Sequence, residues 1–563
     1  PLEAASPPAD PLWWRSVLRV IPLGGLGEIG LNSMVFECRD ELLLVDAGLL
    51  FPPPELPGVE LIIPDFGYLR DAAAQLGAVL LTHAHEDHIG ALPFLLRDRP
   101  VPVYGTRLTL ALVAERLEEM QVHADLREIL PGEPFHATPC FEVEPFRVAH
   151  SIPDAVGFLL RTPEGTLVHT GDFKLDETPL DARPTDLPRL GALADGEVLC
   201  LLSDSTNAEV EGDTPAERVV AETLERLIPA AGGRVLVGLF ASHLHRVQHV
   251  IHVCHRTGRR LVLAGRSLER NVAAAQRAGR LDVPEGLLCS AEEAEGLLPH
   301  HVCILATGAQ GEPRAALSQL LQPELEGLRI ERGDTVLLSS RPIPGNERAV
   351  STLINALLAA GARVIHAGIE PGLHVSGHAA RAQQRRMIEA ARPRLFVPIH
   401  GELRQLTAHV DLARTTGLAA EQCLLARDGD VLGFAAGQGA FWGKAHVGRV
   451  FESRAGGGDI APESLSARNR LARTGVVAVA VTVSRDSGAY VGFPQLVGRG
   501  LTRDEERVLE SAALDLVPLL EELSPSVRGD DAFLREALVR VTRQVFRERA
   551  ARRPLILPLI VRV

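Results

Sequence analysis

Three histidines and one aspartate stand within six positions in the run Thr82-His83-Ala84-His85-Glu86-Asp87-His88. The run directly follows the apolar segment 78–81, which is typical of a strand. Imidazole and carboxylate groups are the ligands that zinc and similar divalent metals prefer. Where a strand passes into a loop, side chains two positions apart can point at one ion while the next pair points at a neighbour. Since ordinary surface histidines would not show this spacing, we predict that the run binds two divalent metals, with a helix at 89–96 starting beside them.

Two metals held by side chains need more ligands than this run offers. His150, Asp172 and His400 each stand where a predicted strand passes into a turn. Taken singly, they could be a capping histidine, a turn residue and a loop histidine. Taken with the run, they predict a site assembled from the ends of several strands.

The elements that must position these residues begin with a region of short strands and turns. We predict strands at 17–23, 33–38, 42–46, 78–82, 141–149, 157–162 and 166–170. We predict helices at 66–76, 89–96 and 107–120. This pattern indicates sheets that are covered by helices.

From about Gly212 to His366 the pattern changes to a buried strand followed by a helix. The predicted pairs are 235–240 with 243–257, 260–264 with 268–278, 302–306 with a helix near Arg314, and 335–339 with 347–360. Strands and helices that alternate at this spacing imply parallel βαβ units. The region is therefore predicted to be a separate α/β domain.

The last hundred residues predict a small α+β domain. The glycine-rich stretch 455–458 is a linker candidate. Beyond it we predict a strand at 475–483, a helix at 502–523 that opens with the Thr502–Glu505 capping box, a helix at 531–551 and a strand at 555–563.

Composition narrows the functional classes. The 563 residues require several domains, and 46% are hydrophobic. No apolar run is long enough for a membrane span and the first ten residues do not resemble a signal peptide, so we expect a cytoplasmic protein without a membrane partner. The seven cysteines form no C-x-x-C pair and are expected to be reduced. A net charge of −14 disfavours general nucleic-acid binding, although a local basic channel remains compatible with it.

The complete ligand set resembles that of the metallo-β-lactamase superfamily of αββα hydrolases. Its H-x-H-x-D-H motif, later histidine, later aspartate and final histidine match residue by residue. The resemblance implies one metal on His83, His85 and His150, another on Asp87, His88 and His400, and Asp172 as the bridge. Asp46 matches an early aspartate that orients ligands. The iron-binding redox branch usually has glutamate where His85 stands, so hydrolysis is favoured.

The 228 residues between Asp172 and His400 (400 − 172 = 228) far exceed what one αββα domain needs. The α/β region must therefore be inserted between the last two ligands, which resembles the β-CASP nucleases. Asp204 in 203–207 resembles their acidic motif, His378 in 374–378 their second motif, and His400 their third. In that family a histidine in the third motif tends to mark members that act on RNA.

The segments 240–248, 306–313 and 339–347 and the appended terminal domain resemble the bacterial ribonuclease J family. One departure is Ala91, where a second glycine is common. The resemblance implies an α/β fold: an αββα metallo-β-lactamase domain with an inserted parallel α/β β-CASP domain and a small C-terminal α+β domain. We predict an extension at 1–17, the metallo-β-lactamase domain at 18–211 and 367–445, the β-CASP domain at 212–366, a linker at 446–470 and the terminal domain at 471–563.

The implied function is two-metal phosphodiester hydrolysis in RNA processing and decay. The enzyme would be a 5′-to-3′ exonuclease that prefers single-stranded RNA with a 5′-monophosphate, and also an endonuclease. Zinc fits the ligands, and manganese is the alternative. Asp87 or Asp172 would orient the attacking hydroxide, and His378, tuned by Asp204, would protonate the leaving oxygen. Homodimers or homotetramers are implied through the C-terminal domain.

The segment 374–378 is implied to hold substrate phosphate, through His374, Val375, Ser376, Gly377 and His378. Ser340, Arg341 and Asn346 could contribute from the facing domain, although 339–346 could equally be an ordinary turn. A basic channel could be lined by Arg246, Arg266 and Arg341, or these could be solvated surface residues. With only 4% aromatic residues, recognition should rely on the RNA backbone.

Three rival functions remain open from sequence alone. The first is a β-CASP nuclease that acts on DNA, which His400 disfavours. The second is a small-molecule metallohydrolase, which the large insertion disfavours. The third is a catalytically silent RNA-binding or scaffold subunit, which the complete ligand set disfavours.

Overall fold

A computed structural model describes residues 17–53, 55–322, 328–343, 345–453, 460–550 and 553–563. The predicted extension, except for Val17, and the glycine-rich stretch 455–458 lie outside these residues. The chain divides into two compact units, one running to Leu50 and from Ile63 to Arg449, the other comprising Phe51–Ile62 and Val450–Val563. Within the described part of the chain, no helix combines the length and apolar character that crossing a membrane requires.

The described strands are β1 (Leu18–Gly24), β2 (Ser33–Cys38), β3 (Glu41–Val45), β4 (Leu61–Pro64), β5 (Gln75–Leu80), β6 (Val103–Gly105), β7 (Leu126–Glu128), β8 (Phe135–Thr138), β9 (Phe141–Arg147), β10 (Val156–Thr162), β11 (Gly165–His169), β12 (Val198–Asp204), β13 (Val235–Gly238), β14 (Arg260–Ala264), β15 (Val302–Ala306), β16 (Thr335–Leu338), β17 (Arg363–His366), β18 (Leu395–Ile399), β19 (Asp430–Ala435), β20 (Gln438–Lys444), β21 (Arg449–Glu452), β22 (Val476–Val483), β23 (Gln495–Arg499) and β24 (Leu555–Arg562).

The described α-helices are α1 (Gly67–Asp71), α2 (Glu86–Ile89), α3 (Leu92–Asp98), α4 (Arg107–Glu119), α5 (Leu187–Gly191), α6 (Arg218–Ala230), α7 (Leu244–Thr257), α8 (Arg266–Arg277), α9 (Ala291–Glu295), α10 (Ala316–Gln319), α11 (Glu347–Ala359), α12 (Arg381–Ala391), α13 (Leu403–Thr415), α14 (Pro462–Thr474), α15 (Arg503–Glu521), α16 (Pro525–Gly529) and α17 (Asp531–Ala550). Short 3₁₀ helices occur at Pro299–His301, Pro371–Leu373 and Ala420–Gln422.

Two sheets form the centre of the first unit. Their strand orders are β20-β19-β1-β2-β3-β5-β6-β7 and β18-β12-β11-β10-β9-β8. Phe36 from the first sheet and Phe158 from the second belong to one buried apolar cluster, so the sheets pack face to face. On the outer face of the second sheet, Met387 of α12 packs in another cluster with Phe396. These layers are those of the predicted αββα fold.

Three parallel strands of the second sheet determine where the site forms. In the order β18-β12-β11, Leu202 pairs with both His169 and Val397, and all three strands point the same way. Because the carboxyl ends of parallel strands meet at one edge, the residues that follow them come together.

The inserted region forms a five-stranded sheet in the order β14-β15-β13-β16-β17. Every strand pair in this sheet is parallel. Helices follow the strands, and Ile304 and Val336 lie in a core of their own. The βαβ pattern was predicted, whereas α6 and β17 were not.

The second unit contains a three-stranded sheet in the order β23-β22-β24. Along β22 every second residue is buried, including Val477 and Val479, in a cluster that also contains residues of α15 and α17. The Thr502 capping box is present and its side chain accepts a hydrogen bond from the Glu505 N–H. Helix α14 begins inside the range 446–470 that we predicted as a linker.

Two helix predictions near the site were wrong in part. The predicted helix 66–76 is the shorter α1, and residues 75 and 76 already belong to β5, which pairs in parallel with β3 and was predicted to start at residue 78. The predicted helix 89–96 is two helices, α2 and α3, that are separated at Gly90. A Cβ atom at Gly90 would lie 2.4 Å from the Leu49 side chain, so close packing requires glycine there. Helix α2 starts at Glu86, earlier than the predicted residue 89, and its single turn carries Asp87 and His88.

Candidate metal centre

The predicted ligands come from loops that follow adjacent strands. His83 and His88 follow β5 and are buried. Asp172 lies just after β11, and His400 follows β18 directly. Asp204 is the last residue of β12, which lies between those two strands. The distant His400 thus lies beside Asp172, as expected for residues that follow parallel strands of one sheet.

Their side chains form three overlapping groups that could each hold a metal ion, with ligand atoms within 4.8 Å of one another. The groups are His83, His85, His150 and Asp172; Asp87, His88, Asp172 and His400; and Asp172, Asp204, His378 and His400. Asp172 belongs to all three. The first two groups contain the residues that the resemblance assigned to the two metals, and Asp172 is shared between them.

The Asp172 carboxylate is the geometric centre of the cluster. Its Oδ1 lies 2.9 Å from Nδ1 of His400, and its Oδ2 lies 3.2 Å from Nε2 of His88. The same Oδ2 lies 3.7 Å from Nε2 of both His83 and His150. One buried carboxylate therefore faces histidines of both metal groups.

Asp46 fixes the orientation of His88, as the resemblance implied. Its Oδ2 lies 2.8 Å from Nδ1 of His88 and accepts a hydrogen bond from the Thr82 hydroxyl at 2.8 Å, while Oδ1 accepts from the Thr82 N–H. A carboxylate on Nδ1 leaves Nε2 directed at Asp172. Asp46 and His400 both have a positive φ, at 62° and 52°, a conformation that costs energy in residues other than glycine.

The histidines of the first group are held neutral. Burial, with the neighbouring imidazoles, lowers the pKa of His83 and His150 well below the ordinary value. Burial also lowers the pKa of His85 to about 4. Nδ1 of His85 lies 3.0 Å from Nε2 of His83 and 3.2 Å from Nε2 of His150. Convergent lone pairs of neutral imidazoles fit a divalent cation.

The second group has the opposite electrostatic setting. Burial opposes a charged imidazole at His88 and His400, but Asp172 and the nearby carboxylates outweigh it and raise both pKa values well above the ordinary value. Burial would raise the pKa of Asp172, yet His400 and His88 hold it well below its usual range. The buried Nε2 of His400 has no hydrogen-bond partner among the described residues. A divalent cation bound to this second group would take the place of the ring protons that these carboxylates stabilise.

The segment 374–378 lies directly against the first group. Nδ1 of His150 lies 2.8 Å from the Gly377 carbonyl oxygen. Since a carbonyl only accepts, Nδ1 of His150 carries the proton and Nε2 is free to bind a cation. A Cβ atom at Gly377 would lie 2.8 Å from the His150 ring, so only glycine allows this approach.

The middle and the end of the segment are held by Asn207, just before the inserted region, and by Thr214, at its start. The Asn207 amide donates to Oγ of Ser376 at 2.9 Å and to the His378 carbonyl at 3.0 Å. The Thr214 hydroxyl donates to the same carbonyl at 2.7 Å. Val375 is buried, whereas Ser376 and His378 are partly exposed. The exposed atoms of the segment therefore sit on a fixed backbone.

His378 pairs with Asp204. Nδ1 of His378 lies 2.8 Å from Oδ2 of Asp204 and 3.9 Å from Oδ2 of Asp172. Burial opposes its protonation, but these two carboxylates raise the pKa of His378 above the ordinary value. With Nδ1 engaged, Nε2 of His378 is the ring atom that remains for another partner.

The second predicted substrate segment, 339–346, has no described contact with the metal ligands. Ser340 is buried and its hydroxyl donates to the Ala309 carbonyl, whereas Arg341 is exposed. The buried Gln310 amide donates to the Arg341 carbonyl at 2.9 Å and accepts from the Ile343 N–H at 2.8 Å. No described contact joins Ser340, Arg341 or Asn346 to the metal ligands, and Pro344 lies outside the described residues.

Sequence reasoning missed Asn32 beside the centre and placed Arg246 wrongly. The Asn32 amide donates to the Asp87 carbonyl at 3.1 Å and lies 3.0 Å from Nε2 of His88. Its position after a glycine-rich loop, just before β2, was the available signal. Arg246, considered for the surface of an RNA channel, is only 1% exposed. Its neighbours are distant in sequence, so no local pattern could reveal this burial.

Four family models match successive parts of the chain. They are a beta-lactamase superfamily domain at 44–194, the ribonuclease J beta-CASP domain at 232–357, a Zn-dependent metallo-hydrolase RNA specificity domain at 363–424, and the ribonuclease J C-terminal domain at 463–563.

Full-length relatives give the same answer. The chain is 41% identical to ribonuclease J of Mycobacterium tuberculosis, covering 100% of both chains. The chain belongs to the ribonuclease J family. It is 39% identical to ribonuclease J of Thermus thermophilus (97% of this chain, 95% of the relative) and 35% identical to ribonuclease J2 of Bacillus subtilis (97% and 99%).

Ribonuclease J membership confirms the predicted architecture of a metallo-β-lactamase domain, a β-CASP insertion and a terminal domain. A solved structure of a protein of unknown function from Enterococcus faecalis V583 supports the fold alone, with a TM-score of 0.53, 16% identity, and coverage of 74% of this chain and 100% of that chain. The matched zinc-dependent domain and the histidine–aspartate groups together indicate divalent metal binding. The matched RNA-specificity domain points in turn to RNA as the bound polymer.

Proposed function

We propose that the chain hydrolyses phosphodiester bonds of single-stranded RNA, as a 5′-to-3′ exonuclease that prefers a 5′-monophosphate and also as an endonuclease. The observation that carries this proposal is the set of three ligand groups that share Asp172, with the segment 374–378 beside them. A hydrolase that acts on a polymer needs both a metal centre and a fixed surface for phosphates. The ribonuclease J relatives support RNA as the polymer.

Two divalent cations are proposed, zinc in preference to manganese. His83, His85, His150 and Asp172 would hold one, and Asp87, His88, His400 and Asp172 the other. When bound, such cations supply Lewis-acid polarisation of the phosphate and a nucleophile at neutral pH. Asp46 and the Gly377 carbonyl would keep the ligand rings oriented, as their hydrogen bonds to His88 and His150 do here.

The chain's own groups would manage the protons. Asp87 and Asp172 would orient the attacking water through their carboxylate oxygens. His378 would donate the proton on Nε2 to the leaving oxygen, because Asp204 on Nδ1 stabilises the imidazolium form. Asp204 is buried and acts through His378.

The segment 374–378 would hold substrate phosphate through His374, Ser376 and the neighbouring backbone. Arg341 is exposed and forms no ion pair among the described residues, so its guanidinium would be available to the RNA backbone. Ser340 and Asn346 would act mainly by shaping this second segment.

The activity is tested with the purified full chain on a 5′-end-labelled, 5′-monophosphorylated RNA. Labelled mononucleotide as the first product supports the exonuclease, and longer labelled 5′ fragments support the endonuclease. A matched 5′-triphosphorylated RNA tests the monophosphate preference, and equal rates on the two RNAs would remove it. A single-stranded DNA of the same sequence tests the rival function: faster cleavage of the DNA would replace the proposal.

The metals are tested by elemental analysis of the protein as purified. We expect about two divalent ions per chain, with zinc the more abundant. Dialysis against a chelator should remove activity, and zinc or manganese should restore it to different extents. One ion per chain would contradict the two-metal arrangement.

Association into dimers or tetramers is proposed through the open face of the terminal sheet. Leu557, Leu559 and Val561 of β24 and Val497 of β23 are about half exposed on this face. Such a continuous apolar strip is typical of a surface that a second copy covers. We expect L559E to lower the mass in solution, while L514E on the exposed side of α15 should not. An unchanged mass in L559E would refute this surface.

A further inference from the structure

Arg246 is the largest fully buried side chain in the described chain, although it lies in the first turn of α7, which begins at Leu244. Its Nε donates to Oε1 of Glu217 at 2.5 Å and Nη2 donates to Oε2 at 3.3 Å. This buried ion pair neutralises the guanidinium's charge but uses only part of its five N–H groups.

The remaining N–H groups reach both predicted substrate segments. Nη1 donates to the Ser339 carbonyl at 2.8 Å, where the segment 339–346 begins. Nη2 donates to the Val375 carbonyl at 3.0 Å. Nη1 also lies 3.0 Å from Nδ1 of His374. One planar group therefore joins helix α7 of the inserted region to both predicted substrate segments.

The contact with His374 has a definite chemical consequence. A guanidinium can only donate hydrogen bonds, so Nδ1 of His374 must accept and cannot carry a proton. The Ser339 carbonyl also lies near and favours a proton on the ring. Arg246 already donates to that carbonyl, however, and a proton on Nδ1 would face the guanidinium at 3.0 Å.

We propose that Arg246 is a positioning residue that holds His374 as a neutral imidazole with its single N–H on Nε2, as a donor to an RNA phosphate. This inference rests on the proposed function for the identity of the phosphate. The position of the proton on His374 is a property of the free protein and can be tested without RNA.

The charged groups that face His374 support a neutral ring. Burial lowers the pKa of His374 to about 3, and Arg246, Arg341 and Lys174 act in the same direction. The ring of His243 also lies close, at 6.3 Å between centroids, and burial holds its pKa well below the ordinary value. A neutral donor on a rigid frame can bind a phosphate without supplying a proton to it, which separates His374 from His378.

The first experiment reads the tautomer directly. In full-length protein labelled with ¹⁵N-histidine, two-bond ¹H–¹⁵N spectra should show His374 protonated at Nε2 only, from about pH 8 to about pH 5. The variant H374Q identifies the signal by its absence. A proton on Nδ1, or a ring that titrates in this range, would overturn the inference without any RNA being present.

The second experiment separates the two ring nitrogens by substitution. Gln places an amide donor near the position of Nε2, whereas Asn places an acceptor near that of Nδ1. We expect H374N to raise KM for 5′-monophosphorylated RNA about ten-fold with a smaller change in kcat, and H374Q to stay within about three-fold of the native KM. If native protein cleaves RNA and H374N matches it, the inference is wrong; if native protein does not cleave RNA, the proposed function is wrong.

The third experiment removes Arg246 together with its buried counter-ion, in R246M/E217M, so that no charge is left unpaired. We expect the His374 proton to divide between the two nitrogens and KM to rise about ten-fold. The matched control is R234M/D334M, another buried arginine–carboxylate pair of the inserted region, with N–O distances of 2.9 and 2.8 Å. The control should leave both the His374 spectrum and KM unchanged. Equal effects of the two double variants would reduce Arg246 to a general contributor to folding.

Discussion

The two ends of the segment 374–378 place histidines in opposite electrostatic settings. At one end, burial and two arginines, Arg246 and Arg341, hold the pKa of His374 at about 3. At the other end, Asp204 and Asp172 overcome burial and raise the pKa of His378 above its ordinary value. Both rings stand in one short loop, so the difference comes from the elements packed against them.

One loop can therefore carry two histidines with different roles, phosphate binding and proton donation. A ring that stays neutral can donate a hydrogen bond to a phosphate at any physiological pH, and a ring paired with a carboxylate can supply a proton. The residues that set the two proton states come from different parts of the chain. Arg246 belongs to the inserted region, whereas Asp204 is the last residue of β12 in the second sheet. Variation in the insertion could thus alter substrate binding while leaving the proton donor intact.

The largest expected effect is at the proton-donating end. Replacing His378 with alanine should lower kcat for RNA cleavage about 10²- to 10⁴-fold, because the leaving oxygen loses its proton donor. Elemental analysis should show unchanged metal content, and KM should change little. The control is H374N, for which the main change should be in KM. An unchanged kcat in H378A would remove the proposed role and the contrast with it.

The next effect should follow from neutralising the partner of His378. Asp204→Asn keeps an oxygen that can accept from the N–H and hydroxyl of Thr206, which now lie 2.9 and 2.7 Å from Oδ1. The imidazolium form of His378 loses its negative neighbour, so we expect kcat to fall about 10- to 100-fold. Single-turnover measurements with saturating RNA check this. A rate equal to that of native protein would show that Asp204 does not tune the donor.

A smaller effect should come from Asn207, which holds the middle of the segment and its His378 end. Asn207→Ala removes the hydrogen bonds to Ser376 and to the His378 carbonyl. Loss of such neutral bonds should change KM and kcat together, each by less than about ten-fold. Asn207→Asp is the harsher comparison, because it loses the donor and places a negative charge against the His378 carbonyl. A change in KM alone would show that Asn207 does not support the position of His378.

The strands and most of the metal ligands could be predicted because their signals are local or follow from topology. A buried strand that ends in His150, Asp172 or His400 is visible in the sequence, and parallel strands must bring such ends to one edge. The assignment to one metal or the other came from the family resemblance. Spacing alone could not have divided the ligands into two groups.

The parts that could not be predicted depend on contacts across long stretches of chain. Arg246 looked like a candidate for the channel surface, since its burial depends on Glu217, Ser339 and Val375, which are 29, 93 and 129 residues away. The break between α2 and α3 depends on Leu49 packing against Gly90. Helix α14 lacks a clear apolar stripe, and Leu465 is its single fully buried residue among those described.

The carboxyl of Asp428 is another group whose protonation is controlled by its neighbours, at a site without histidine. Burial and then Glu28 raise the pKa of Asp428 to about 7 from its usual 3.8. A carboxyl with a raised folded-state pKa favours the folded protein less and less as pH rises from about 4 through about 7. Asp428→Asn cannot ionise, and its side-chain oxygen can still accept from the Leu26 N–H, now 3.0 Å from Oδ1. We therefore expect the variant to melt about 2 °C above native protein at about pH 8, with the gap closing toward about pH 4. Differential scanning fluorimetry across this range measures it, and a gap independent of pH would show that the Glu28–Asp428 pair does not control this carboxyl.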